Sequence, residues 1–130
     1  MDFNALGLFV DNMEAMVKFY RDIIGLKTDW KKEEPAAEFE AGTCIFVMVG
    51  RNDFETIISK SLTYPNGLNG TMVIGLNVKH HKDVDIEYKR LMDLGVESVF
   101  PPKTNDWGQR TCYVADPEGN LLEIGSYEAD

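Results

Sequence analysis

The chain has 130 residues, 44% of them hydrophobic, and a formal net charge of −9. That length suits a single domain with one continuous core and leaves no room for a second. The charge opposes nucleic-acid phosphates and anionic membranes, which need clustered Lys and Arg, and mildly favours a cationic or neutral ligand.

Leu6 to Val10 is a short apolar run closed by Asp11 and Asn12, which predicts a buried strand. Asn12 is a good N-cap, and Met13, Met16, Val17, Tyr20, Ile23 and Ile24 recur at helical spacing until Gly25 ends the helix. Three strands are expected next, around Leu26 to Trp30, around Ala37 to Glu40, and from Thr43 to Val49. The charged stretch Lys31 to Pro35 and the Ala41-Gly42 turn separate them. A linker over 51–70 holds a short helix near Phe54 to Lys60 and the turn cluster Tyr64-Pro65-Asn66-Gly67.

The pattern then repeats. Met72 to Val78 reads as a strand, Val84, Tyr88, Leu91 and Met92 mark a second amphipathic helix, and Gly95 closes it. Strands follow at Val96 to Phe100, Gln109 to Ala115 and Asn120 to Ile124, the last two joined by Asp116-Pro117-Glu118-Gly119. The expected fold is α+β: two tandem βαβββ modules, about 1–50 and 71–130, forming a curved mixed sheet around a cleft. Eight main strands and two main helices are predicted, with the helices outside a sheet that both halves share.

No apolar run approaches the ~20 residues that span a bilayer, and Met1 to Asn4 does not lead into a signal-like segment, so a cytoplasmic location is expected. Cys44 and Cys112 sit among strand residues with neither CxxC spacing nor an adjacent histidine, and read as small buried hydrophobes. His80 and His81 precede the second helix and read as surface residues, since neighbours do not readily converge on one ion.

Val10-Asp11-Asn12-Met13, then Phe19-Tyr20-Arg21-Asp22-Ile23-Ile24-Gly25-Leu26, and Asp116 to Glu123 together resemble the vicinal oxygen chelate superfamily. That group contains glyoxalase I, bleomycin-resistance and fosfomycin-resistance proteins and extradiol dioxygenases. Members share a scaffold and differ in chemistry. Those that bind metal take His, Glu or Gln from the first and last strands of each half. Matching Val10 to Val78 puts Ala5 and Val73 at the first-strand places, and the last strands bring Met48, or else Phe46, against Glu123. One carboxylate does not hold a divalent ion, so the resemblance implies no metal and no cofactor here.

Six residues are expected to bind a ligand: Glu123, Tyr113, Trp107, Trp30, Phe46 and Met48. Glu123 is a carboxylate able to accept hydrogen bonds, or to act as a base where burial raises its pKa. Tyr113 should lie opposite it on the neighbouring strand, as a tyrosine does in fosfomycin-resistance relatives. Trp30 and Trp107 offer flat aromatic walls, and Phe46 and Met48, with Phe39, an apolar lining. The expected function is a metal-independent small-molecule binding protein of the bleomycin-resistance type, acting as a homodimer. The alternative is a glyoxalase-like lyase or isomerase using Glu123 with an atypical metal site.

Overall fold

Strand β1 (Ala5–Val10) begins the fold where the first apolar run lies, and α1 (Met13–Lys18) follows, its end capped as predicted: Asn12 Oδ1 accepts from Ala15 N–H at 3.0 Å. Over Phe19–Ile24 the backbone widens into π-helical turns, with Gly25 and Leu26 N–H both donating to Tyr20 O, at 3.1 and 2.9 Å. Gly25, at φ 93°, adopts the left-handed conformation that ends the helix. Then come β2 (Ala36–Ala41), β3 (Cys44–Gly50) and α2 (Arg51–Ile58). The remainder is β4 (Val73–Asn77), α3 (His81–Asp93), β5 (Glu97–Thr104), β6 (Arg110–Ala115) and β7 (Leu121–Ser126).

This computed structural model describes residues 1–130, divided into two units, Met1–Tyr64 and Pro65–Asp130. The break falls inside the expected linker, and α2 belongs to the first unit. The first sheet has the order β1-β3-β2 and the second β4-β7-β6-β5. Both are mixed, since β1 with β3 and β4 with β7 run parallel while the other neighbours run antiparallel. Each unit thus repeats one architecture, a strand and a helix followed by antiparallel strands.

Seven strands form rather than eight. The expected strand at Leu26 to Trp30 is absent because local bonds take its polar groups. Thr28 Oγ1 accepts from Trp30 N–H at 3.2 Å, and the Trp30 indole donates to Glu34 O at 2.9 Å. A single backbone bond, Glu40 N–H to Lys27 O at 3.1 Å, ties the segment to β2. In the second unit β5 extends past the predicted end at Phe100 through Pro101 and Pro102, with register shifts against β6 around Phe100. As the sheet's edge strand it tolerates residues that cannot donate to a ladder.

In the first unit Leu8, Val10, Ala37, Phe39, Phe46 and Met48 are buried with Met16, Val17, Phe19 and Tyr20 of the helix. Phe46 meets Tyr20 edge-on, ring centroids 5.2 Å apart, and Phe39 lies 5.8 Å away. Phe46 and Met48, expected to line a pocket, are therefore core residues, 4% and 0% exposed. Strand alternation explains the correction: a register slip of one residue exchanges the two faces. In the second unit Cys112, Val114, Leu122 and Ile124 are buried on the side packed against Val84 and Leu91 of α3.

His80 and His81, expected at the surface, are half-buried at the start of α3. The His80 backbone N–H donates to Asp83 Oδ2 at 2.9 Å, and Asp83 N–H donates to His80 O at 3.0 Å, so this pair shapes the helix entry. Cys112 is buried, and burial pushes its thiol up to about 11, which leaves it protonated and inert as expected.

Candidate ligand-binding face

Strand β7 pairs with β6 so that Glu123 stands directly opposite Tyr113, and with β4 so that its other neighbour is Gly75. These residues alternate with the buried Leu122, Ile124, Cys112 and Val114, and so occupy the face turned away from α3. Both side chains are half-buried. The Tyr113 hydroxyl donates to Glu123 Oε2 at 2.7 Å. That bond, then burial and the carboxylate's charge, raise the Tyr113 pKa above the ordinary phenol value of 10.0. The phenol is thus held as a donor.

The second carboxylate oxygen is also engaged. Gln109 Nε2 donates to Glu123 Oε1 at 3.3 Å, and the Trp107 indole N–H donates to Gln109 Oε1 at 3.1 Å. The row Trp107, Gln109, Glu123, Tyr113 is thereby continuous, and Trp107, 65% exposed, leaves its ring in solvent at the loop between β5 and β6. That loop is closed by Asn105 N–H on Gln109 O at 2.8 Å and Gly108 N–H on Asn105 O at 2.9 Å. Gly125 makes the row possible: a Cβ there would lie 2.9 Å from Gln109 Nε2. Gln109 and Gly125 were missed in the sequence, although Gln109, Thr111 and Tyr113 alternate along one strand and share a face.

The Asp116 to Asn120 turn that joins β6 to β7 is structural. Asp116 Oδ1 accepts from the backbone N–H groups of Glu118 and Asn120, at 2.9 and 3.0 Å, and Asn69 N–H donates to Gly119 O at 2.9 Å.

Of the six expected residues, Tyr113, Glu123 and Trp107 come together in the second unit. Trp30 lies in the first unit, lining a groove beside β2, and Phe46 and Met48 lie in its core. The first unit repeats the register with different chemistry. Val47 pairs with Gly7 and Glu38 as Glu123 pairs with Gly75 and Tyr113, so Val47, not Met48 or Phe46, is the residue matching Glu123.

The four places used by metal-binding relatives are therefore Ala5, Val47, Val73 and Glu123, of which only the last carries a donor. No three His, Cys, Asp or Glu side chains form a cluster able to hold a metal ion. This donor set does not fit a divalent cation.

Comparison with known proteins agrees with this architecture. The family model described as Glyoxalase/Bleomycin resistance protein/Dioxygenase superfamily matches residues 2–124. YraH of Bacillus subtilis strain 168, an uncharacterized protein, is 28% identical over 120 residues, 90% of this chain and 91% of the relative. A crystal structure of a glyoxalase/bleomycin resistance protein/dioxygenase from Nocardioides superposes with a TM-score of 0.82 at 21% identity, covering 98% of this chain and 84% of that one. A family enzyme from Burkholderia phytofirmans PsJN gives 0.81 at 17% identity, covering 96% and 98%. At these identities the two structures speak for the fold.

Proposed function

Because the chain belongs to the glyoxalase/bleomycin resistance protein/dioxygenase superfamily, we propose that it is a metal-independent small-molecule binding protein of the bleomycin-resistance type. The observation that carries this reading is the hydrogen-bonded row Trp107, Gln109, Glu123, Tyr113 on the face of the second sheet turned away from α3. A carboxylate offers about four lone-pair positions. Tyr113 and Gln109 occupy two and leave the others for N–H or O–H donors of a ligand. Those same bonds fix the carboxylate's orientation before anything arrives, which lowers the ordering cost of binding. Trp107, anchored through its N–H, supplies a flat apolar surface at the end of the row.

The donor set weighs against the lyase or isomerase alternative, whose chemistry relies on a Lewis acid. The protein acts as a homodimer in this reading, with an exposed apolar side chain at each edge of the second sheet, Val73 on β4 and Phe100 on β5, available to a partner copy. Sedimentation as a stable monomer at micromolar concentration would remove the dimer. A cytoplasmic location fits two free cysteines, and no helix is long and apolar enough to cross a membrane.

The test uses Trp30→Phe, which leaves Trp107 as sole indole reporter. Compounds found in a thermal-shift screen of small aromatic amines should quench it. Tyr113→Ala or Trp107→Ala should weaken those compounds by roughly 1 kcal/mol or more. Hits that leave Trp107 emission untouched and ignore both substitutions would refute the assignment.

A further inference from the structure

We infer that Asn66, in the loop ahead of β4, is a site of spontaneous deamidation, and that Asn69 in the same loop is protected from this chemistry by the bonds that latch it to the β6–β7 turn. Of the chain's eight asparagines only these two precede a glycine. That pairing leaves the asparagine side chain open to attack, because a following residue without a Cβ does not shield its own backbone nitrogen. By sequence the two sites are equivalent.

Their surroundings separate them. Asn66 is exposed, Gly67 after it is exposed at φ 76°, and none of the structure's hydrogen bonds holds the Asn66 amide. Asn69 is half-buried and bonded through both polar atoms of its side chain. Its Nδ2 donates to Gly67 O and to Gly119 O, both at 3.2 Å, and its Oδ1 accepts from Thr71 N–H at 3.4 Å. Its backbone N–H adds a further bond to Gly119 O at 2.9 Å. Loop and turn also touch directly, since a Cβ on Gly119 would collide with the Gly67 carbonyl.

At Asn66 the Gly67 nitrogen gives its proton to solvent base and forms a bond to Asn66 Cγ. The Cγ–Nδ2 bond breaks, and that nitrogen takes a proton from water and leaves as ammonia. Water then opens the cyclic imide at either carbonyl, giving aspartate or isoaspartate. One amide and one water enter, one carboxylic acid and one ammonia leave, and no oxidant or reductant is needed. At Asn69 the leaving nitrogen must first abandon two carbonyls, and Cγ must swing away from Thr71 N–H before Gly70 can reach it. The products differ in consequence as well. A carboxylate at 66 meets solvent, whereas one at 69 would face Gly67 O and Gly119 O, two acceptors with no proton to offer.

The full chain is held in warm, mildly alkaline buffer, once native and once unfolded in urea, and then digested. The tryptic peptide 61–79 carries both sites, and chromatography with fragment masses resolves asparagine, aspartate and isoaspartate at each. In urea the two sites should convert at similar rates. In the native chain Asn66 should still convert, and Asn69 should be slower than Asn66 by about tenfold or more. Asn69→Asp should lower the thermal midpoint, while Asn66→Asp should leave it in place. The rate comparison needs no substitution, so it stands even where Asn69→Asp does not fold. Equal native rates at the two sites, or an Asn66 that converts in urea and not in the native chain, would overturn the inference, as would an unchanged midpoint in Asn69→Asp.

Discussion

The two sheets share one register and present different chemistry on the faces turned away from α1 and α3. In the first unit Gly7, Val47 and Glu38 stand in a row across the strands; in the second the same row is Gly75, Glu123 and Tyr113. The backbone positions are equivalent, yet only the second row closes into side-chain hydrogen bonds. The first sheet lacks an outer fourth strand and has a groove there; the second has β5. A duplicated scaffold has thus kept its pairing geometry while the side chains that could serve a ligand diverged.

The largest expected effect tests which face each strand residue occupies. Met48→Ala should cost about 2–5 kcal/mol in urea unfolding, as a fully buried side chain is lost beneath α1. Val47→Ala, on the opposite face, should cost well under that, and equal losses would break the register on which Val47 is matched to Glu123. Next come the hairpin turns. Gly119→Ala should destabilise by about 1–3 kcal/mol, because φ is 87° there and a Cβ would collide with the Gly67 carbonyl. Gly42→Ala, with φ at 66° and nothing nearby, should cost less.

A smaller effect concerns the tie between α3 and β6. Arg110 donates to both Asp85 oxygens, at 2.7 and 2.6 Å, and this bonding holds the Asp85 carboxyl below its ordinary pKa. A depressed folded pKa gives stability that is fully present above the unfolded pKa and is lost as pH falls through the folded one. Asp85→Asn should therefore cost about 1 kcal/mol or less at neutral pH, given its exposure, and the difference should begin to shrink as pH falls below about 4 and vanish only below the depressed pKa of the folded carboxyl. The smallest effect is spectroscopic. Tyr113 should ionise at higher pH than an ordinary tyrosine, and Glu123→Gln should bring its titration back down, since the carboxylate is both acceptor and charge. The sign for stability is the reverse of Asp85: a raised pKa stabilises below the ordinary phenol value and is lost as pH rises through the folded one.

The helices and most strands were legible because their signals are local: Asn12 at the cap, Gly25 at the stop, and a dense run of β-branched and apolar residues from Cys44 onward. The pairing of Glu123 with Tyr113 was legible too, since a short turn between two strands sets their register. Other features depended on competition that periodicity does not display. Leu26 to Trp30 has strand-like composition, but the Thr28 hydroxyl and the Glu34 carbonyl take its donors. Phe46 and Met48 were placed on the wrong face because both ways of matching the last strands, two residues apart, keep the same face, and only the ladder pairing of Val47 with Gly7 and Glu38 reveals the one-residue offset. Gln109 stayed hidden because its role depends on the space above Gly125, a tertiary feature.

The central claim, ligand binding at Glu123 without a metal, is tested most directly by thermal shift on chelator-treated, dialysed protein against a panel of small aromatic amines. Compounds that raise the midpoint of the native chain should do so equally with and without chelator, and should bind about tenfold more weakly to Glu123→Gln, the loss expected of a charge-assisted hydrogen bond. A stoichiometric transition metal surviving dialysis, with binding or turnover abolished by chelator and restored by Zn, Ni or Mn, would contradict the account.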